Sequence, residues 1–415
     1  MRRGLTNVGG PIDPGGATEA AESLARVLEA AQGDDTDRLT HGFHAYPARM
    51  HGGLAAAAID RFSKDAEHVL DPFCGSGTVL VEAMVAGRRS RGVDLNPIAV
   101  RVAGVKTERR SAVERDRFAA IVDAIAEASK ARVDARAPAM APLSEHERRD
   151  FEVHVLKELA GLWDEIGKVE LVADRRALEV LFSSIVVKFS NRRAETSSAT
   201  TPKRIGKGVP TSFFARKGDE LVRRWAALDH ACTALHRDVH RPRIVEGDAT
   251  DLRATLPPDY RADLVLTSPP YGGTYDYAEH HALRMAWLGL SPIRLRRDEL
   301  GSRRELSSGD RASARWDAEV AKILRAIAGV LADEGRALLW VGDAEVGGQR
   351  IDALAQLQRI APASGLQVIA WASQPRLDFR GGSPRAETLA LLVHGQTPPR
   401  RPAAPSARSG KPRRR

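Results

Sequence analysis

Cysteine is nearly absent, with only Cys74 and Cys232 in 415 residues. Two thiols cannot build a disulfide framework or a four-cysteine zinc site, and this points to a reducing cytoplasm. Long apolar runs are missing too. None approaches the roughly 18 residues that a membrane helix needs, so no membrane partner is expected. The opening MRRGLTNVGGPIDPGG carries two arginines with no apolar segment behind them, which argues against a secretory signal. No internal repeat is visible. His230, His240, His280 and His281 show no ligand spacing with cysteine or paired carboxylates, so no metal is expected. His280 and His281 read as surface residues or as support behind a site. What remains is an ordinary globular composition, 43% apolar and 28% charged.

The formal net charge is +9, but it is unevenly spread. Residues 398–415 (PPRRPAAPSARSGKPRRR) hold seven Lys/Arg and no acid, and taking those seven from nine leaves +2 for the rest of the chain. The tail reads as a phosphate-backbone arm or as a solvated end. Charge alone therefore does not choose a partner.

Along the chain, residues 1–36 are punctuated by Gly, Pro and Asp around one helical stretch and read as a loose, flexible arm. Residues 37–106 carry strand (AEHVLDPF), Gly-rich turn, helix (GTVLVEAMVAG) and strand (RRSRGVDLNP). That is the βαβ unit of a doubly wound nucleotide-binding sheet. Residues 107–238 break the pattern with long amphipathic helices and a polar, basic loop between them. This insertion reads as a recognition subdomain or as a helical layer stabilising the sheet, and the mixture of Arg192, Arg193, Lys203, Arg204 and Lys207 with Phe213 and Phe214 favours recognition of nucleic acid. Strand patterns return over 239–396, at RIVEGDAT, ADLVLTSPP and GRALLWVGD. LQVIAWAS and ETLALLVHG are placed as an antiparallel edge hairpin. Residues 397–415 form a disordered basic tail by composition. The expected fold class is α/β, a mostly parallel seven-stranded sheet with a helical insertion.

Four constellations carry chemistry. In Asp71-Pro72-Phe73-Cys74-Gly75-Ser76-Gly77-Thr78 a strand gives way to a helix. The glycines let backbone approach a ligand, and the helix start presents unpaired N–H groups to negative charge. A tight turn without a ligand is the structural alternative. The Gly-Lys-Ser/Thr ending of a phosphate loop is absent. Asp94, with Asn96 beyond it, ends the next strand, where an acid accepts from both hydroxyls of a ribose. Asp248, in Glu246-Gly247-Asp248-Ala249, ends a third strand and is placed to accept from an adenine amino group. Thr267-Ser268-Pro269-Pro270-Tyr271 ends a fourth. Its prolines fix a rigid turn with outward carbonyls. With the Ser268 hydroxyl, those carbonyls suit the hydrogens of an exocyclic NH₂, and Tyr271 offers a face for a base.

With these motifs the chain resembles the amino-methyltransferases that modify DNA at cytosine N4 or adenine N6. DPFCGSGT looks like their cofactor loop and TSPPY like their catalytic motif. His44-Ala45-Tyr46-Pro47-Ala48-Arg49-Met50 resembles their N-terminal cofactor segment, and TYDYAEHHALRMAWLGL resembles the helix after the catalytic loop in a subset of them. The resemblance implies S-adenosylmethionine as cofactor, bound by Tyr46, Pro47, Asp71, Phe73, Gly75, Ser76, Gly77, Thr78, Asp94, Asn96 and Asp248. It implies Ser268, Pro269, Pro270 and Tyr271 as the catalytic set, DNA as partner and restriction–modification as setting. A serine before Pro-Pro-Tyr tilts the expectation to cytosine N4, with adenine N6 or RNA guanine N2 as alternatives. A cytosine-C5 route needs a cysteine nucleophile, and neither cysteine stands in that context. A non-catalytic nucleic-acid-binding protein on this scaffold would show degenerate glycines or a broken Pro-Pro-Tyr, and neither is seen.

Overall fold

The structure, a computed structural model, describes residues 9–35, 37–47, 49–193, 199–236, 238–307, 309, 311–376 and 385–395. The basic tail and Ala48 lie outside them, as do residues 194–198 of the insertion loop.

The segment expected to be a loose arm is packed into the fold. β1 (Asp13–Gly16) pairs antiparallel with residues 370–373, and α1 (Thr18–Gln32) buries Leu24, Val27 and Leu28. Gly15, read from sequence as punctuation, lies flat against the Trp371 ring. A Cβ there would come within 2.4 Å of the indole, so only glycine lets this strand close on the tryptophan.

Two βα units follow: α2 (Gly52–Phe62), β2 (His68–Asp71), α3 (Thr78–Val85), β3 (Arg89–Asp94) and α4 (Pro97–Lys106). α4 starts where Asn96 accepts from the Ile98 N–H at 3.0 Å and Pro97 takes the first helical position, where its missing N–H costs nothing. The insertion contributes α5 (Ala112–Asp134), α6 (Glu145–Arg148), α7 (Val153–Gly167), α8 (Val172–Phe189) and α9 (Val209–Thr233). Capping boxes at Ser111/Glu114 and Ser144/Glu147 set the starts of α5 and α6.

The second sheet half runs through β4 (Arg243–Glu246), α10 (Leu252–Thr255), β5 (Ala262–Thr267), α11 (Tyr277–Trp287), α12 (Ile293–Asp298), α13 (Arg303–Leu306), α14 (Ala312–Val330) and β6 (Leu331–Gly342). A small hairpin of β7 (Ala344–Val346) and β8 (Gln349–Ile351) precedes α15 (Ala353–Ile360), β9 (Leu366–Arg376) and β10 (Arg385–His394).

The strand order is β1-β9-β10-β6-β5-β2-β3-β4. β4, β3, β2, β5 and β6 are parallel, while β10 runs antiparallel to both β6 and β9. Seven strands therefore form the mostly parallel sheet with an antiparallel edge hairpin that a Rossmann-like methyltransferase fold has, and β1 adds an eighth. The chain steps outward from β2 to β4 on one side, then restarts at β5 and steps the other way. Such a reversal opens a crevice at the carboxyl ends of β2 and β5.

Alternation along the central strands supplies two cores. Val69, Leu264, Leu266, Leu338 and Trp340 face α1 and α2, whereas Leu70, Val265, Ala337, Leu339 and Val341 face α14 and α15. The insertion builds a third core with α4 and α11: Phe118, Val155, Phe182 and Trp225 pack with Val102, Leu283 and Trp287. Trp225 also donates to the Val105 carbonyl at 2.9 Å. The insertion thus forms a layer against the helix that follows the Ser-Pro-Pro-Tyr loop.

Candidate active site

A cleft at that crevice encloses about 880 Å³. From the candidate residues it gathers Tyr46, Pro47, Asp71, Phe73, Gly75, Ser76, Thr78, Asp94, Asn96, Asp248, Ser268 and Pro270. Gly77 lies behind its wall. Pro269 and Tyr271 face a second, smaller cavity beside Trp316 and Val341, and Pro270 borders both cavities.

Local chemistry fixes the loop after β2. Gly77 has φ +81°, and a Cβ there would meet the Ala103 methyl at 2.8 Å, so α3 begins only because this residue has no side chain. Asp71 lines the cleft, yet its Oδ1 accepts from the Thr267 hydroxyl at 2.6 Å and from the Phe73 N–H at 3.2 Å. It therefore braces the end of β2 against the end of β5. Burial pushes its carboxyl up to about 7, against those two hydrogen bonds.

Asp94 accepts from the Gly75 N–H through Oδ2 and from the Asn96 N–H through Oδ1, both at 2.8 Å. Burial raises its carboxyl to about 6. Each oxygen keeps a further lone pair toward the cleft. Asp248 uses Oδ1 for the Thr250 N–H and hydroxyl, both at 2.8 Å. The buried Thr78 hydroxyl borders the cleft and has no hydrogen-bond partner. The Ser268 hydroxyl is likewise unengaged among the described residues.

The opposite wall was not legible from motifs. Tyr277, Leu295, Asp298, Glu299 and Leu300 complete it. Glu299 accepts from the N–H groups of Tyr277 and Ala278, capping α11 from 22 residues downstream, and burial pushes it up to about 7. Asp276 secures the same region by accepting from the Ser302 hydroxyl at 2.8 Å and the Arg304 N–H at 3.0 Å. The Tyr275-Asp276-Tyr277 string was the available signal; nothing near Glu299 announced it.

Tyr46 is held between neighbours. Its hydroxyl accepts from Asn96 at 3.3 Å, and its ring stacks on His281 with centroids 5.0 Å apart. His281 is fully buried rather than on the surface, and desolvation pulls its pKa well down. Tyr271 is turned away, its hydroxyl 3.5 Å from Glu387 Oε1.

None of the five cations read as a nucleic-acid surface borders the cleft. Arg192 pairs with Asp150 at 3.2 Å and donates to the Glu279 carbonyl on α11, while Arg193 donates to the Thr201 hydroxyl. Lys203 donates to the Lys188 carbonyl, whereas Arg204 and Lys207 are exposed. Among the described residues no group of three or more His, Cys, Asp or Glu is arranged to hold a metal ion.

Known proteins match this arrangement in part. A family model of the N6/N4 type, described as DNA methylase, matches residues 21–104. The type II methyltransferase M.MvaI of Kocuria varians is 38% identical over 76 residues, 18% of this chain and 17% of that one. M.AvaI of Nostoc sp. is 22% identical over 312 residues, 67% of this chain and 60% of its own length. M.BsoBI of Geobacillus stearothermophilus is 23% identical over 309 residues, 67% and 58%. The chain thus spans between a sixth and three-fifths of the length of these relatives. Among solved structures, an rRNA methyltransferase from Streptomyces viridochromogenes aligns at 14% identity with a TM-score of 0.33, covering 87% of this chain and 94% of its own. Over residues 21–104, from within α1 to within α4, this chain is thus similar to the DNA methylases that the N6/N4 family model describes.

Proposed function

We propose that the protein transfers a methyl group from S-adenosylmethionine to an exocyclic amino nitrogen of a DNA base, cytosine N4 foremost and adenine N6 as the alternative. One observation carries this reading. A single cleft at the reversal point of the sheet brings the ends of four strands together, with Ser76 and Thr78 after β2, Asp94 after β3, Asp248 after β4 and Ser268 after β5.

The residues fit the cofactor. The orphaned Thr78 hydroxyl, the Ser76 hydroxyl and the start of α3 form a cradle for a carboxylate. Asp94 at the tip of β3 suits ribose hydroxyls, and the unengaged Oδ2 of Asp248 suits an adenine amino group. When bound, S-adenosylmethionine supplies an electrophilic methyl on a sulfonium.

The chain's own task is to make a poor nucleophile react. The lone pair of an aromatic amino group is delocalised into its ring. Acceptance of an N–H hydrogen by the Ser268 hydroxyl, which borders the cleft, would localise that pair on nitrogen. The rate gain then comes from positioning and fixed dipoles. In a duplex the base must first leave the stack. With Tyr271 turned toward Glu387, the aromatic surface at the cleft belongs to Phe73, Tyr46 and Tyr277.

A tritiated-methyl transfer assay on duplex DNA, single-stranded DNA and total RNA, with the labelled nucleoside identified by mass spectrometry, tests the reading. The expected product is N4-methylcytosine in DNA. Ser268→Ala should lower kcat about 100- to 1,000-fold while cofactor affinity stays within twofold. Label in N6-methyladenine selects the alternative base, and label confined to RNA overturns the substrate.

A further inference from the structure

Beneath the glycine-rich loop lies a lysine that the motifs did not reveal. Lys106, the last residue of α4, is fully buried. Its side-chain nitrogen donates to Ser76 Oγ at 3.3 Å, and Ser76 borders the cleft. Around it is a buried polar cluster in which Glu82 accepts from Arg38 at 2.6 Å and contacts His41 at 2.5 Å. Removing an ammonium group from water is costly unless something nearby needs the charge. Desolvation and the neighbouring Arg49 and Arg224 pull the Lys106 pKa well down, while Glu82 and Asp37 act in the opposite direction.

Two features give this lysine a direction. A hydroxyl that accepts from Lys106 has its own hydrogen free to donate into the cleft. One residue beyond Gly77, the Thr78 hydroxyl is buried at the same wall without a partner. No acid occupies the first turn of α3. The wall therefore presents two hydroxyls and a helix start whose first turn holds no acid, with the Lys106 nitrogen behind Ser76.

We propose that Lys106 is a positioning residue for the carboxylate of the cofactor, acting through Ser76, whose hydroxyl it fixes as a donor to that anion. This rests on the cofactor reading above. The structural alternative is a lysine that merely closes the carboxyl end of α4, where a cation is favourable in any case.

Calorimetric titration of the full chain with two ligands separates these roles. S-adenosylhomocysteine carries the carboxylate, and 5′-methylthioadenosine keeps the nucleoside but lacks the amino-acid end. Lys106→Met should weaken S-adenosylhomocysteine about 10- to 100-fold, the size of a lost charge-assisted hydrogen bond. It should leave 5′-methylthioadenosine within twofold. Ser76→Ala should discriminate between the ligands in the same sense, and the double variant should be no weaker than the worse single one. In turnover, Lys106→Met raises the KM for S-adenosylmethionine and leaves kcat nearly unchanged. Equal weakening of both ligands, or of neither, overturns the proposal. Should Lys106→Met fail to fold, Lys106→Gln with the same two ligands decides. A native chain that binds neither ligand sinks the cofactor reading, and the role of Lys106 with it.

Discussion

At the strand ends three acids each take a backbone N–H two residues on, whereas several polar side chains of the helical insertion meet partners tens of residues away. Asp71 reaches the Phe73 N–H, Asp94 the Asn96 N–H and Asp248 the Thr250 N–H, each two residues on. In the insertion Arg110 pairs with Asp174 across 64 residues, and Glu158 accepts from Thr211 across 53. Lys217 reaches back 174 residues to the Phe43 carbonyl. Short-range geometry of the first kind is written in consecutive letters. The second kind exists only after the helices have packed. If this contrast reflects function, strand-end changes should strike ligand binding and insertion changes should strike stability.

The largest effect is expected at Gly77. Gly77→Ala places a methyl group 2.8 Å from Ala103 in a left-handed conformation. The combined strain should weaken S-adenosylhomocysteine about 100-fold by calorimetry. Unchanged affinity would break the strand-end half of the contrast. Next comes Glu158, which accepts from the N–H groups of Gly208 and Thr211 and from the Thr211 hydroxyl. Glu158→Ala leaves buried donors unmet and should cost about 1–3 kcal/mol, lowering Tm by several degrees while the ligand Kd holds. A Kd that moves with Tm would mean that the insertion shapes the cleft directly.

A smaller effect is expected from the triple change of Arg193, Arg204 and Lys207 to alanine. If these cations face a phosphate backbone, DNA affinity falls about tenfold at low salt and the salt slope shrinks by up to about 3. An unaltered slope removes the insertion loop from the DNA surface and leaves it as packing alone.

A further effect depends on pH. Asp71 has its folded pKa raised to about 7, above the unfolded value near 4. Its contribution to stability is therefore fully present below about pH 4 and lost as pH rises through 7. Asparagine keeps an oxygen for Thr267 and Phe73 but cannot ionise. The Tm advantage of Asp71→Asn over the native protein should thus grow from pH 5 to 7 and level off above. A constant difference across that range would show that the carboxyl is not the group titrating.

The same division explains what the sequence disclosed. The Asp-Pro-Phe-Cys-Gly-Ser-Gly-Thr loop, Asp94, Asp248 and Ser268 were visible because tight turns demand particular residues at fixed spacing, and the fold brings them to one cleft. The closing strands were legible as a pair, since β9 and β10 carry near-continuous apolar runs. The wall formed by Tyr277, Leu295, Asp298 and Glu299 was not, because α11 is capped by an acid outside its own segment. Lys106 was hidden for a related reason. A lysine ending a helix looks like an ordinary surface residue until its burial is known. β1 was misread because Asp-Pro-Gly-Gly has the composition of a turn, and only the flat face of Trp371 makes it a strand.

The pairing of β1 with β9 also constrains the order of events on the ribosome. Ala17 donates to the Ile369 carbonyl, and α1 shares its core with Ala370 and Leu389. Those partners emerge after most of the chain has been made. At common synthesis rates the wait is on the order of 20–70 s, during which α1 can meet α2 but not the sheet edge it finally covers. The β1–α1 segment is thus translated long before the strand that secures it, and a nascent chain stalled before β9 would leave that face open to chaperones and proteases.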